Sequence, residues 1–222
     1  MSKDLPLGLG ERLRADTRDL HTEAERAGIM PALLRGTLER ARYNALLRNL
    51  HALYAALEPA LTQHAAHADV APIYFPALFR LAPLEADLAV LHGPGWPEDI
   101  ALQPATQRYV ARLQDIASTR PELLAAHAYV RYLGDLSGGQ MLRKIVAQGY
   151  QLEGDEGSRF YDFGKPAAVR AHLQAFRVGL AGLASDGARI DALVAEARWA
   201  FGLHSALFTE LAEAPPAVSD KG

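Results

Sequence analysis

The sequence has no cysteine, no long apolar run and no excess of charge of one sign. Without cysteine the chain cannot form disulfides, thiolate metal sites or a cysteine nucleophile, so any metal ligand must be His, a carboxylate or Tyr. No stretch approaches ~18 uninterrupted apolar residues, and the N-terminal segment lacks the apolar core of a signal peptide. We therefore expect no membrane partner and a cytoplasmic location.

The charges are nearly balanced, with 23 Lys and Arg against 26 Asp and Glu and a formal net charge of −3. Because no domain-wide basic field exists, we expect no nucleic-acid partner. Half of the 222 residues are hydrophobic and 22% are charged, which is the composition of an ordinary globular protein. This length suits one large domain or two small ones and allows a substantial buried core.

Apolar residues recur at spacings of three and four along most of the chain, and this pattern predicts amphipathic helices. Segments rich in Pro and Gly at 69–76, 93–97 and 153–158 are predicted to be loops, and none is long enough to be a domain linker. No alternating strand pattern or repeat is present. We predict a single all-α domain over 1–213 and a short, flexible polar tail over 214–222. The predicted helices cover about 9–27, 38–66, 103–118, 121–150, 166–184 and 190–211.

The helix predicted over 121–150 contains three glycines in its middle, Gly134, Gly138 and Gly139. Each glycine inside a helix costs roughly 1 kcal/mol relative to alanine, so the three cost about 3 kcal/mol. Close packing against another helix is one explanation, because small residues let backbones approach. A large flat ligand lying against exposed backbone at a kink in the helix is the other. The spacing alone does not decide between them.

The string AHAYVRYLGDLSGGQMLRKI at 126–145 resembles the distal helix of the haem oxygenases, in particular the soluble, biliverdin-producing bacterial enzymes. The similarity extends over nearly the whole chain. It includes DLHTEAE at 19–25, LYAALE at 53–58, APIYFP at 71–76 and GPGWPE at 93–98. The resemblance implies a haem oxygenase-like helical bundle over 1–213, with haem held between a proximal helix and a glycine-kinked distal helix.

His21 is the candidate iron ligand among eight histidines. It borders an apolar stripe, so its ring can reach the interior, and Glu25 lies four residues later on the same helix face. A carboxylate there can accept a hydrogen bond from the imidazole nitrogen that does not bind iron. The alternative is a His–Glu pair on the helix surface. The resemblance places the axial ligand at His21 and its partner at Glu25.

Two other histidines lie in helical segments that concern the site. We expect His127 to be structural, because Tyr129 and Arg131 match the family's pocket positions and His127 does not. His204 lies in an apolar stripe where some relatives carry an amide residue. We expect it near the pocket but not as the ligand.

Haem carries two propionates, so its site should present cations at the mouth. Arg14 and Arg18 precede His21 by seven and three residues and fall on or near its helix face. Each alone is typical of a solvated surface charge, whereas two beside the candidate ligand suggest an anchor. The resemblance adds Arg177 and Tyr129 as propionate contacts.

One further haem contact and one departure from the family pattern follow from the same resemblance. Phe201 is the implied aromatic contact. A family lysine aligns with Leu173, and Lys165 or Arg170 would have to replace its charge. This departure bears on the in-plane orientation of haem, and hence on which bridge is cut.

On the distal side the resemblance places the three glycines over the iron, where they offer no acid or base. Asp135 resembles the carboxylate that orders distal water, and Tyr54 resembles a second member of that network. Arg131 lies four residues before Asp135 and can pair with it. Water held by such a carboxylate can supply protons. Without the resemblance, Arg131–Asp135 would be interpreted as a surface pair worth a few tenths of a kcal/mol.

The implied activity is cleavage of haem b, as substrate and cofactor, to biliverdin, CO and ferrous iron with O2. A ferric hydroperoxide hydroxylates a meso carbon of its own haem, for which we predict the alpha position. Electrons must come from a partner such as ferredoxin or a flavin reductase, since the chain has no nucleotide-binding motif. We predict a monomer. A haem carrier without turnover and a helical protein without haem are the alternatives.

Overall fold

The computed structural model describes residues 8–183 and 186–214, so residues 215–222 of the predicted tail lie outside it. The described ranges contain helices, turns and loops, and no strand. The predicted all-α fold is therefore confirmed. The α-helices are α1 (Leu9–Ala24), α2 (Met30–Leu34), α3 (Arg40–Gln63), α4 (Leu81–Leu91), α5 (Trp96–Asp99), α6 (Pro104–Thr119), α7 (Leu124–Ala128), α8 (Gly134–Tyr150), α9 (Pro166–Ala181) and α10 (Gly187–Glu213).

Five long helices, α1, α3, α6, α9 and α10, appear where the sequence predicts them, with ends shifted by up to three residues. Helix α1 ends earlier than predicted because the chain crosses α10 at Gly28, which has a φ of 45°. A Cβ on Gly28 would lie only 1.8 Å from the Phe208 carbonyl oxygen, so only glycine fits this crossing. The backbone N–H of Ile29 then donates to the same carbonyl at 3.1 Å.

Three helices, α2, α4 and α5, are absent from the predicted set. Helices α2 and α5 have five and four residues, too few to show a period. Helix α4 spans 11 residues, but Ala82, Ala89 and Val90 occupy exposed positions, and these apolar residues blur the stripe. Its buried side chains include Asp87, which anchors the loop before α9.

The core forms where α1 lies along α10 and where α3 packs against α4 and α6. Leu13 and Ala24 of α1 and Ala197 and Phe201 of α10 are buried at or near the first of these contacts. Because α1 is amphipathic, its other face, which carries His21, stays open to solvent. Within the described ranges, none of the helices combines the length and apolar character required to cross a bilayer.

The segment predicted as one glycine-broken helix consists of four consecutive pieces. A 3-10 turn at Pro121–Leu123 leads into α7, a π turn occupies Tyr129–Leu133, and α8 begins at Gly134. A π turn accommodates one extra residue in a helix and is frequently found at functional sites. Here the irregular turn comes directly before the glycines, which lie in the regular part of α8.

Candidate functional site

A cleft opens between α1, α8 and α10 and has two adjoining parts. The inner part has a volume of about 360 Å³ and the outer part about 800 Å³. Both lie within the range of roughly 300–1,000 Å³ typical of small-molecule sites. Residues from all three helices line both parts: His21, Val130, Gly134, Ser137 and Phe201. The cleft is therefore continuous, and His21 lies where its two parts meet.

His21 forms one wall of the cleft, on the solvent-accessible face of α1. About half of its side chain is exposed, and its Nδ1 atom lies 3.6 Å from Oε1 of Glu25. This distance is too long for a hydrogen bond, so the predicted bond is not formed in this side-chain arrangement. Phe201 packs edge-on against the His21 ring with centroids 5.9 Å apart. With Nδ1 beside Glu25, Nε2 is the nitrogen left for a ligand in the cleft.

Gly134 and Gly138 form the opposite wall. A Cβ added to either glycine would meet no atom within 4 Å, so close helix packing does not explain them. They leave bare backbone facing a cleft into which their neighbour Ser137 also projects. The second explanation, a ligand lying against exposed backbone, therefore fits these two positions.

Gly139 differs from the other two glycines. It is absent from the lining of both parts of the cleft, and its Cβ would approach the Tyr161 carbonyl oxygen to 3.2 Å. Close packing explains this glycine. The predicted group of three therefore divides into two glycines that line the cleft and one that lets a loop pack on α8.

Arg131, Asp135 and Tyr54 form a hydrogen-bonded group at the inner end of the cleft. Arg131 Nη2 donates to both carboxylate oxygens of Asp135, at 2.8 and 3.1 Å, and the Tyr54 hydroxyl donates to Oδ2. Arg131 Nε also donates to the Tyr54 oxygen at 3.3 Å. The Arg131 and Asp135 side chains are only 11% and 12% exposed, so the pair is buried and is not a surface salt bridge.

Burial governs the protonation of this group. It raises the pKa of Tyr54 well above the ordinary value, so the hydroxyl keeps its proton and acts as a hydrogen-bond donor. Burial also raises the pKa of Asp135, although the facing Arg131 guanidinium opposes that rise. For Arg131, burial lowers the pKa, but the negative charge of the Asp135 carboxylate and the hydrogen bond to Tyr54 outweigh it and leave the pKa above its usual value. Arg131 is therefore a permanent cation.

Two buried histidines extend the polar region beyond Arg131. His204 lines the inner cavity, with Nε2 3.5 Å from Arg131 Nη1. His127 is fully buried between the Tyr109 hydroxyl and Glu196, at 3.0 Å from each, and is not among the lining residues. The structure thus agrees with the prediction that His127 is structural and that His204 lies near the pocket.

Arg14, Arg177 and Tyr129 line the outer part of the cleft and give its mouth a positive charge. Both arginines are exposed, while the Tyr129 hydroxyl lies 3.4 Å from Thr17 Oγ1. Arg14 lies 115 positions before Tyr129, and Tyr129 lies 48 positions before Arg177, yet the fold brings all three to one rim. An anionic end of a ligand would meet them there.

The other predicted rim residues lie elsewhere. Arg18 is exposed on α1 but absent from the lining of either part of the cleft. Leu173 packs against the core, and Lys165 and Arg170 are exposed outside the lining. Within the described residues, neither residue replaces the missing charge at the rim.

The sequence analysis missed the apolar inner lining contributed by α2 and by the loop before α9. Met30 and Leu33 come from α2, and Phe160 and Tyr161 come from the loop. The buried Asp87 carboxylate anchors this loop by accepting the Phe160 N–H at 2.8 Å, and burial raises its pKa to about 6. The only signal for this anchor was an acidic residue in a largely apolar helix.

The cleft as a whole has the chemistry of a metalloporphyrin site. It combines an apolar interior, a histidine with one free nitrogen, a bare-backbone wall opposite it and cations at the mouth. The described ranges contain no group of three or more His, Asp or Glu side chains that could hold a bare metal ion. The residues present therefore fit haem.

Comparisons with known proteins agree with this chemistry. The family model described as heme oxygenase matches residues 7–210. Heme oxygenase 1 of Nostoc sp. is 40% identical over 91% of this chain and 85% of its own length, and human heme oxygenase 1 is 41% identical over 94% and 73%. A crystal structure of heme oxygenase-2 from Synechocystis sp. in complex with heme and NO has a TM-score of 0.88 at 41% identity, covering 92% of this chain and 85% of that one. On its fold, its cleft and these similarities, the chain belongs to the haem oxygenase family.

Proposed function

We propose that this chain is a haem oxygenase that cleaves haem b to biliverdin, CO and ferrous iron, using O2 and electrons from an external donor. One observation carries the proposal: His21 and the bare backbone of Gly134 and Gly138 line the same cleft from opposite helices. A wall without side chains gives a flat ligand room and offers no acid or base beside its distal face. The catalytic domain spans 1–213.

The contacts that hold haem follow from the two parts of the cleft. His21 Nε2 would bind the haem iron, and Glu25, 3.6 Å from Nδ1, would orient the imidazole ring. Phe201 packs against the proximal side. Arg14, Arg177 and the Tyr129 hydroxyl, which line the outer part, would bind the propionates.

When bound, haem supplies the iron at which O2 is reduced and the ring carbon that is oxidised. The chain supplies protons and positions water. Asp135, fixed by Arg131 and Tyr54, orders water in the inner cavity, and that water donates the protons. Because the neighbouring wall is glycine, protons reach the distal side through this water rather than from a side chain in contact.

The position of the cut depends on how the propionates are held. With Leu173 packed against the core and no lysine at the rim among the described residues, Arg14 and Arg177 are the cations that would fix the orientation of haem. We infer that this orientation presents the alpha meso carbon. The electron donor is a separate protein, a ferredoxin or a flavin reductase, and the enzyme acts as a monomer.

The test is a titration with hemin followed by reduction in air and identification of the products. A Soret band that saturates at one equivalent and then gives way to biliverdin and CO is the expected result. A carrier would return ferric haem unchanged. Absence of a saturable Soret band would contradict haem binding altogether.

A further inference from the structure

Met141 is an exposed apolar residue on the wall of the inner cavity. It lies on α8, three residues after Gly138, and 56% of its surface is exposed. Among residues 8–183 and 186–214, Met141 is the only large apolar residue that is both exposed and part of the lining of the cleft. Packing in the core therefore does not explain this side chain, and solvent reaches it when the cleft holds no ligand.

Met141 is also one of only three sulfur-containing residues in the chain, which has no cysteine. The other two are Met1 and Met30, and Met30 lines the same cavity from α2. Met30 packs against the core and is less exposed than Met141. Because thioethers are common targets of oxidants, Met141 is the more accessible oxidisable sulfur of the cleft.

Hydrogen peroxide converts a thioether to a sulfoxide by transferring one oxygen atom to the sulfur. The sulfur lone pair attacks one peroxide oxygen, the O–O bond breaks, and the other oxygen leaves as water. The sulfur loses the two electrons that the peroxide gains, so no further reactant is needed. An apolar side chain thereby becomes polar, and sulfoxide reductases reverse the change.

A sulfoxide at this position would oppose the binding of a flat apolar ligand. Such a ligand lies against the bare backbone of Gly138, and Met141 follows one turn later on the same helix face. A porphyrin that covers the sulfoxide oxygen removes its water and offers no hydrogen bond in return, which is unfavourable. The unoxidised thioether carries no such penalty.

We propose that Met141 is a site of reversible oxidation by hydrogen peroxide, and that its sulfoxide weakens the binding of haem in the cleft. Oxidation lowers the fraction of haem-loaded protein when peroxide is abundant, and reduction of the sulfoxide restores it. The effect on haem rests on the proposed function, whereas the accessibility of Met141 to peroxide does not.

The test treats the haem-free protein with hydrogen peroxide, removes the excess with catalase and then titrates hemin. Trypsin releases the three methionines in separate peptides, 1–3, 27–35 and 132–143, so mass spectrometry locates each added oxygen. We expect oxidation of Met141 to be faster than that of Met30, and hemin affinity to fall about fivefold or more as the Met141 sulfoxide accumulates. Sulfoxide reductases for both epimers should restore the affinity.

Three variants assign the effect, each compared with its own untreated sample. Met141→Leu has no sulfur at this position but fills a similar volume, so peroxide should leave its hemin affinity unchanged. Met30→Leu should lose affinity as the wild type does. Met141→Gln carries a polar group permanently and should bind hemin about fivefold or more weakly than wild type before any treatment.

An equal loss of affinity in wild type and Met141→Leu would overturn the proposal. So would an unchanged affinity in wild-type protein whose peptide 132–143 is fully oxidised. Failure of the untreated wild-type protein to bind hemin would instead refute the proposed function, and the peptide masses would still show whether peroxide reaches Met141.

Discussion

Replacing Gly138 by alanine adds one methyl group to the bare wall of the cleft and has opposite expected effects on stability and on haem binding. The new Cβ meets no atom within 4 Å, so nothing in the protein opposes it. Alanine is favoured over glycine in a helix interior by roughly 1 kcal/mol. For a domain of this size, that corresponds to an increase in Tm of about 2–4 °C.

The same methyl group occupies the space against which haem would lie. Forcing an extra methyl group into a well-packed contact typically costs about 1–3 kcal/mol, which corresponds to a roughly 5- to 150-fold loss of hemin affinity. We therefore expect Gly138→Ala to melt at a higher temperature without haem and to bind hemin more weakly. Thermal unfolding and Soret titration measure the two effects on one preparation.

Two other glycines serve as matched controls. Gly202 is exposed in the middle of α10 with open space around its Cβ and lies outside the cleft, so Gly202→Ala should gain the same stability and keep its hemin affinity. Gly139→Ala should be less stable than Gly138→Ala, because its Cβ lies 3.2 Å from the Tyr161 carbonyl oxygen. Unchanged hemin affinity in Gly138→Ala, with the stability gain present, would show that this wall does not contact the ligand.

Substitutions at four more residues test separate parts of the molecule. His21→Ala should lose the histidine–iron bond and ring opening, with partial recovery on adding imidazole; a wild-type ferric spectrum with full turnover would rule out His21 as the ligand. Arg177→Glu should weaken hemin binding or change the biliverdin isomer, and no change in either would remove Arg177 from the site. Asp135→Ala should still bind hemin but yield little biliverdin, with Asp135→Asn milder, and normal yield from the Ala variant would place the proton path elsewhere. The hydrogen bonds from His127 and Arg112 outweigh burial and lower the pKa of Glu196 to about 2, so its contribution to stability is complete above about pH 4.5 and is lost as the pH falls towards 2. Glu196→Gln should flatten the dependence of the free energy of unfolding on pH within that window, and an unchanged slope would contradict the shift.

The sequence predicts those parts of the fold and site that depend on local spacing. The long helices follow from apolar stripes, and the Arg131–Asp135 pair follows from a spacing of four residues. Tyr54 joins that pair from a different helix, so only the resemblance to a family identifies it.

Other features depend on tertiary distances that no local pattern encodes. Gly138 and Gly139 are adjacent in sequence, yet only the position of the Tyr161 carbonyl oxygen shows that the second is a packing residue. Arg14 and Arg18 are one helical turn apart and carry the same charge, but the rim of the cleft reaches only Arg14. Conversely, the contact between His204 and Arg131 joins residues 73 positions apart.

The π turn at Tyr129–Leu133 makes the direction of the glycine wall depend on the length of the chain before it. A π turn amounts to one residue inserted in an α-helix, and each residue rotates a helix by about 100°. Deleting one residue from this turn would restore a regular helix and turn Gly134 and Gly138 by about that angle away from His21. The number of residues in this segment is therefore fixed by the need to keep backbone facing the cleft.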